Sequence, residues 1–352
     1  MRFEFINRVV SGEVLGKSIL TSDGRVLLRA GVTLTSEYIL KLRELGITYV
    51  YIEDDRLSDV PSEDEKLVEL KKSAIKNMDI IMKNVNNYNK RQLKEAVKKI
   101  EELVDYVIES SDLGKYMADI KTHDNYTYLH SVDTGIMAIF MGTEMKYSED
   151  KLKKLGLGGI LHDIGKLKIS NSIINKPGKL TEEEYEQMKN HPIFGADILK
   201  SNYRIPEEVI DIAMQHHERV DGYGYPRGLD KDNINKMANI VSLCDVYDAV
   251  VNDRSYRKKL KPYDAYELII AASEVMFYQD VVLAFKNTFG VYPLGSCLKL
   301  SNGIEGYVIK QNKGFPDKPV IRVLYDKETK KPIPFYEINL SESREVVVDN
   351  II

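Results

Sequence analysis

The chain has no tryptophan and only two cysteines in 352 residues. Cys244 and Cys297 stand far apart in no metal-like spacing, which argues against a disulfide framework and for a reducing compartment. No stretch approaches about eighteen consecutive apolar residues, and the opening MRFEFINRVVSGEV has no apolar run before a small-residue cleavage site. These absences predict a cytoplasmic protein without membrane insertion. Positive charge is not in excess either. Fifty Lys+Arg against 54 Asp+Glu give a formal net charge of -4, which speaks against a nucleic-acid polymer as partner but leaves room for a basic pocket for a small anion. With 43% hydrophobic residues, the length suffices for two or three domains with cores of their own.

Residues 1–57 read as a small mixed α/β module, with strand-like runs from Val9 to Leu20 and Arg25 to Leu28, helical spacing from Leu34 to Leu45 closed by Gly46, and a strand at 47–52. A polar, proline-bearing break runs from Ser58 to Asp64. From 65 to 121 apolar residues recur at helical intervals in a Lys- and Glu-rich background. This helical connector is read as packing helices with a solvated lysine face, and it or the N-terminal module offers a surface for a homodimer or signalling partner. Residues 122–290 are predominantly helical, with helices expected at 129–144, 151–160, 181–200, 206–216, 234–250, 263–273 and 279–288. Residues 291–352 carry β-like runs at 297–300, 305–310, 319–324 and 335–339. The fold class is mainly α: an all-helical catalytic domain, a small mixed N-terminal module and a short β-rich C-terminal tail.

Histidine is scarce but concentrated. Of six, His130, His162, His191, His216 and His217 fall within one stretch of the helical region, with His123 just before it. Asp163 adjoins His162, and Asp245 lies inside the apolar helix IVSLCDVYDAV, where an aspartate is costly to bury unless paired or bound to metal. Any one of these histidines alone is more simply a surface or core residue. Together, imidazoles with two carboxylates suit divalent Fe, Mn, Co or Zn better than Mg or Ca, which prefer oxygen shells. Seven candidate ligands exceed what one tetrahedral zinc uses, whereas two metals sharing a carboxylate use them all. Cys244, beside Asp245, is read as a buried apolar-like residue rather than a nucleophile.

The pieces YTYLHS at 126–131, GGILHDIGKLKI at 158–169, HPIFG at 191–195, HHERVDGYGYPRGL at 216–229 and SLCDVYDAVVNDRSYR at 242–257 resemble the HD-GYP family of cyclic di-GMP phosphodiesterases, a branch of the HD phosphohydrolases. The segment YPLGSCLKLSNGIEGYVI at 292–309 resembles the short tail often attached to that domain. The resemblance implies that His130, His162, Asp163 and Asp245 surround one metal, and that Asp163 bridges to a second held by His191, His216 and His217. It implies that Lys166 contacts a substrate phosphate, and that Gly224-Tyr225-Pro226 shapes a wall beside cyclic di-GMP. Tyr126 stands four before His130, where members with three metals have a glutamate, so two metals are expected, Fe or Mn in preference.

On this reading Asp163 and Lys166 are catalytic, with water held between the metals as nucleophile, and cyclic di-GMP is opened to pGpG and possibly on to GMP. Substrate contacts are expected from Lys166, Arg219, Asp221, Gly224, Tyr225, Pro226, Arg254 and Arg257, with Arg227 and Lys176 as further phosphate candidates and Tyr223, Tyr225 and Tyr256 as stacking ones. Two alternatives stand beside it: a catalytically weak cyclic-dinucleotide sensor or interaction protein, and a phosphodiesterase for another cyclic dinucleotide, since loop contacts rather than the metal core set specificity.

Overall fold

The structure, a computed structural model, describes residues 1–20, 26–60, 64–84, 90–110, 127–202, 205–251, 262–329, 331–343 and 345–352. The chain divides into two compact units: Met1–Asp64 with Phe289–Ile352 in one, and Glu65–Ser111 with Asn125–Thr288 in the other.

In the first unit β1 (Arg2–Phe5) pairs antiparallel with β4 (Tyr49–Ile52), and β2 (Ile19–Leu20) pairs with β3 (Val26–Leu28). The helix α1 (Ser36–Glu44) begins where the Thr35 side chain accepts the Tyr38 N–H and lays Ile39 and Leu42 into a core with Ile6, Leu15, Leu34, Val50 and Ile52. Of the short strand-like runs expected between Val9 and Leu20, only Ile19–Leu20 forms a strand, and the rest is turn, bend and irregular chain with two bridge positions. Val14 and Leu15 make only isolated bridges to Thr33 and Ile52, because the chain reverses at Ser11-Gly12 and again before Ile19. The C-terminal part is an antiparallel sheet of β5 (Cys297–Leu300), β6 (Glu305–Asn312), β7 (Phe315–Tyr325), β8 (Pro332–Asn339) and β9 (Val348–Ile351), in the order β8-β7-β6-β5-β9. The two ends of the chain meet within this unit. Phe3 N–H donates to Gly295 O at 2.7 Å, and Arg322 reaches both oxygens of Asp59 at 2.6 and 2.7 Å.

The second unit is helical: α2 (Glu65–Asn84), α3 (Lys90–Glu109), α4 (Thr127–Glu144), α5 (Glu149–Leu161), α6 (Asn171–Ile174), α7 (Glu182–Met188), α8 (His191–Asn202), α9 (Glu207–Gln215), α10 (Lys236–Val251), α11 (Pro262–Ala271) and α12 (Gln279–Thr288). The fold class read from the sequence is the one observed. The lysines of α2 are not all on a solvated face, however: Lys71 is buried, with Nζ 2.5 Å from Asp133 of α4. Helices α4 and α5 touch through glycine. A Cβ on Gly159 would lie 2.7 Å from the Gly135 Cα, so only bare backbone on both sides lets the helices come this close. That contact brings His130 on α4 within reach of His162 at the end of α5, with ring centroids 5.7 Å apart. No helix among the described residues is long and apolar enough to cross a membrane.

The helix expected over 181–200 is two helices, α7 and α8, broken at Lys189-Asn190. Pro192 explains the break, since it has no N–H to offer Met188 O, four residues back, and its ring clashes with that carbonyl in a continuous helix. Met188 O is thereby left to accept from His191 Nδ1 at 2.8 Å.

Candidate metal centre

Helix ends build this site. His162 is the C-cap of α5 and His216 that of α9, where the last carbonyls have no helical partner. His162 Nδ1 donates to Gly159 O at 2.7 Å and His216 Nδ1 to Ala213 O at 2.9 Å, while His191 Nδ1 takes the carbonyl freed by Pro192. In all three the proton is therefore on Nδ1, and Nε2 presents a lone pair.

Those lone pairs converge. His191 Nε2 and His216 Nε2 are 3.2 Å apart, two unprotonated nitrogens facing each other with no proton to share. His191 Nε2 lies 3.3 Å and His216 Nε2 3.8 Å from Asp163 Oδ1, while His162 Nε2 lies 3.4 Å from Asp163 Oδ2. His162 Nε2 and Asp163 Oδ1 are buried without a hydrogen bond. Burying such atoms unanswered costs about 1–3 kcal/mol each. A cation at their centre removes both the repulsion and the desolvation cost, so the donor set fits a metal.

The donors form two groups: Asp163, His191, His216 and His217, and His130, His162 and Asp245, with ligand atoms in each group within 4.8 Å of one another. Asp163 faces both, one oxygen toward His191 and His216 and the other toward His162. This is a binuclear metal-ligand cluster of histidine and aspartate. Its electrostatics are those of ready ligands. Burial lowers His191 to about 4 and His217 to about 3, and lowers His216 well below its ordinary value, so these imidazoles are neutral at pH 7. Burial pushes the other way on Asp163 and Asp245, but Lys166 holds the first, and the His130 hydrogen bond the second, well below the usual carboxylate range.

His130 differs from the other rings. Its Nε2 is 2.9 Å from Asp245 Oδ1 and its Nδ1 2.6 Å from Asp248 Oδ2. Burial would lower its pKa, yet the two carboxylates outweigh that and raise it. Asp248 was not among the residues the sequence singled out. It lies one turn after Asp245 in the same apolar helix, so it carried the very signal that drew attention to Asp245. An aspartate behind a ligating histidine fixes its tautomer and raises its basicity.

The remaining expected residues are placed as follows. Lys166 contacts Asp163 Oδ2 through Nζ. The Tyr225 ring stacks on His217, with centroids 4.6 Å apart and an interplanar angle of 26°, and so brings Gly224 and Pro226 beside the group that holds His217. Arg219 and Asp221 pair with each other, Arg219 Nε donating to Asp221 Oδ1 at 3.0 Å. Lys176 pairs with Glu184, and Tyr223 is exposed. Tyr126, Arg254, Tyr256 and Arg257 lie outside the described residues. Glu218, fully buried beside His217, is a further residue that sequence reading passed over.

A family model described as HD domain matches residues 118–280, and one described as KOW domain associated with HD domain matches residues 297–352. The chain is 36% identical over 226 residues to the cyclic di-GMP phosphodiesterase PA4108 of Pseudomonas aeruginosa, covering 64% of this chain and 54% of that protein. It is 36% identical over 134 residues to the 3'3'-cGAMP-specific phosphodiesterase 3 of Vibrio cholerae, covering 38% of this chain and 28% of that protein. The chain thus spans about half the length of the first relative and less of the second. Among solved structures it resembles Bd1817, a HDG"Y"P protein from Bdellovibrio bacteriovorus, with a TM-score of 0.52 at 18% identity over 80% of this chain and 97% of that one. That likeness is one of fold.

Proposed function

The chain carries an HD domain of the HD-GYP type followed by its associated KOW domain, and from that premise we propose that it hydrolyses cyclic di-GMP to linear pGpG. The observation that carries this reading is the cluster of unanswered lone pairs around Asp163, walled on one side by Tyr225 stacked on His217. When bound there, two divalent transition metals, Fe or Mn in our reading, supply positive charge for phosphoryl oxygens and activate water at neutral pH.

The chain's own residues do the rest. Asp163 offers one oxygen to each group and so holds them in register, while His162, His191 and His216 are pinned through Nδ1 to helix-end carbonyls and cannot swing away. Lys166 neutralises Asp163 now and is near enough to turn its ammonium onto a phosphate oxygen when substrate arrives. Tyr225 gives a guanine an aromatic face next to the reacting phosphate. Arg219 and Asp221 frame the outer loop, with Asp221 accepting the Tyr223 N–H at 3.1 Å.

A second reading, hydrolysis of 3'3'-cGAMP, is favoured by the Vibrio cholerae relative, because the metal groups do not choose between bases. Anaerobic incubation of Fe- or Mn-loaded protein with cyclic di-GMP, 3'3'-cGAMP, pGpG and simple diesters, with chromatographic product identification and metal counting, tests both. Two metals per chain and release of pGpG are expected. Cleavage of 3'3'-cGAMP alone moves the substrate, and tight binding without turnover in either metal form makes the chain a sensor.

A further inference from the structure

Glu218 follows the ligand pair His216-His217 directly and is fully buried. Among the described residues no cationic side chain pairs with it. A carboxylate so placed is costly unless hydrogen bonds meet its charge. Here they come from one loop: Oε1 accepts the Arg227 N–H at 2.8 Å and Oε2 the Leu229 N–H at 2.9 Å.

The same loop grips the same segment a second time. Tyr225 N–H donates to His217 O at 3.1 Å, and the Tyr225 ring lies on the His217 ring. Gly224 approaches so closely that a Cβ there would fall 2.4 Å from Arg219 N and 2.6 Å from His217 O. Residues 217–219 are therefore fastened to the loop by a ring stack, backbone contact and two hydrogen bonds to a buried carboxyl group, with the Tyr225-Pro226 peptide between the fastenings.

We propose that Glu218 is a positioning residue that latches the Gly224–Leu229 loop to the His216-His217 metal group, so that the wall facing the substrate is formed before substrate binds. The proposal rests on the reading of this centre as a cyclic-dinucleotide phosphodiesterase. Glu218 touches no reacting atom. Its effect passes through Tyr225 and the backbone that follows, and a loop held in advance spares substrate the cost of ordering it.

Glu218→Gln is the discriminating variant, since it keeps the shape but turns an amide NH2 toward one of the two backbone N–H groups. Three measurements on the full chain are read together. Metal content of Mn-loaded protein is expected to stay at wild-type level, because His191 and His216 are held by Met188 O and Ala213 O rather than by the loop. Hydrogen exchange at the Arg227 and Leu229 amides is expected to accelerate about tenfold or more. KM for cyclic di-GMP is expected to rise about tenfold with kcat within about threefold, while turnover of bis(p-nitrophenyl) phosphate, which has no bases to meet the loop, stays unchanged. Unaltered exchange at both amides, loss of metal in step with activity, or equal losses on both substrates would each overturn the latch. If wild type cleaves no cyclic dinucleotide, the phosphodiesterase reading fails, while exchange and metal content still decide the role of Glu218. Should Glu218→Gln not fold, Glu218→Asp, which keeps the charge on a shorter stem, is judged by the same outcomes.

Discussion

Each compact unit holds a polar cluster, and the two are built on opposite terms. In the unit containing both chain ends, cation meets anion. Arg322 binds both oxygens of Asp59, Glu337 Oε1 at 2.7 Å and Arg56 O at 2.8 Å, while Arg56 binds Asp54 at 2.7 Å and the Tyr325 hydroxyl at 2.7 Å. In the helical unit, neutral imidazole lone pairs face one another and a carboxylate, and His162 Nε2 and Asp163 Oδ1 have no hydrogen bond at all. Both clusters gather titratable groups, so perturbed ionisation alone does not tell them apart. What separates them is whether the protein's own protons answer the lone pairs. Where they do, the cluster is a staple; where they do not, the fold is holding a place for a cation.

The sharpest break of that contrast is Asp163→Ala. Removing Asp163, a carboxylate that faces both groups, is expected to empty both metal positions and cut cyclic di-GMP hydrolysis roughly a thousandfold or more, with far-UV circular dichroism unchanged. Two metals retained in this variant would defeat the bridging role. A narrower cut is Asp248→Asn, which acts on the His130 group through the acceptor of His130 Nδ1. Metal affinity at that group is expected to fall about 10–100-fold while the His191 and His216 group keeps its metal, giving near one ion per chain at limiting metal. Equal loss from both groups would mean that the two are not independently supported.

Arg322→Ala carries the comparison to the other cluster. It leaves Asp59 and Glu337 without their cation, but both are open to solvent, so the cost is on the order of 2 kcal/mol rather than that of a fully buried pair. Denaturant unfolding is expected to show a less stable unit of β-strands with metal content and hydrolysis unaltered. A loss of metal in Arg322→Ala would show that the staple and the metal groups are not independent.

How much of this was legible in the sequence follows the same line. The metal groups were readable because histidine is scarce and His130, His162, His191, His216, His217, Asp163 and Asp245 stand on or beside helical patterns that bring them together. Glu218 was not singled out, since a lone acidic residue beside a loop gains meaning only when its burial is known, whereas Asp248 was legible by the same apolar-helix signal as Asp245 and was passed over. The break between α7 and α8 was hidden although Pro192 signals it, because the apolar spacing continues across the gap. In the first unit α1 and most strands of the C-terminal sheet were visible locally, but β1 and β9 were not. Each pairs with a distant partner, β1 with Tyr49–Ile52 and β9 with Cys297–Leu300, and four residues carry too little pattern to declare such a pairing. The Arg322 to Asp59 contact spans 263 positions, a separation over which composition is silent.

The smallest expected effect tests the staple by pH. Hydrogen bonds from Arg322 lower the Asp59 pKa, against the opposing effect of burial. A carboxylate whose folded pKa is depressed stabilises the fold above its unfolded pKa of about 3.9, and that contribution is lost as pH falls through the folded value. Asp59 is 63% exposed in its side chain, so solvent screening limits the contribution to about 1 kcal/mol or less. Asp59→Asn removes the charge at every pH. Wild type is therefore expected to exceed Asp59→Asn in melting temperature by a few degrees at most, by a constant margin from pH 5 to 8, with the margin closing below about pH 4 as the wild-type carboxyl takes up its proton. Paired thermal melts across that range read the difference directly, and because both proteins share every other carboxylate, general acid destabilisation cancels between them. A margin that changes between pH 5 and 8, or that persists undiminished at pH 3, would show that Asp59 acts on the strand unit by something other than its charge on Arg322.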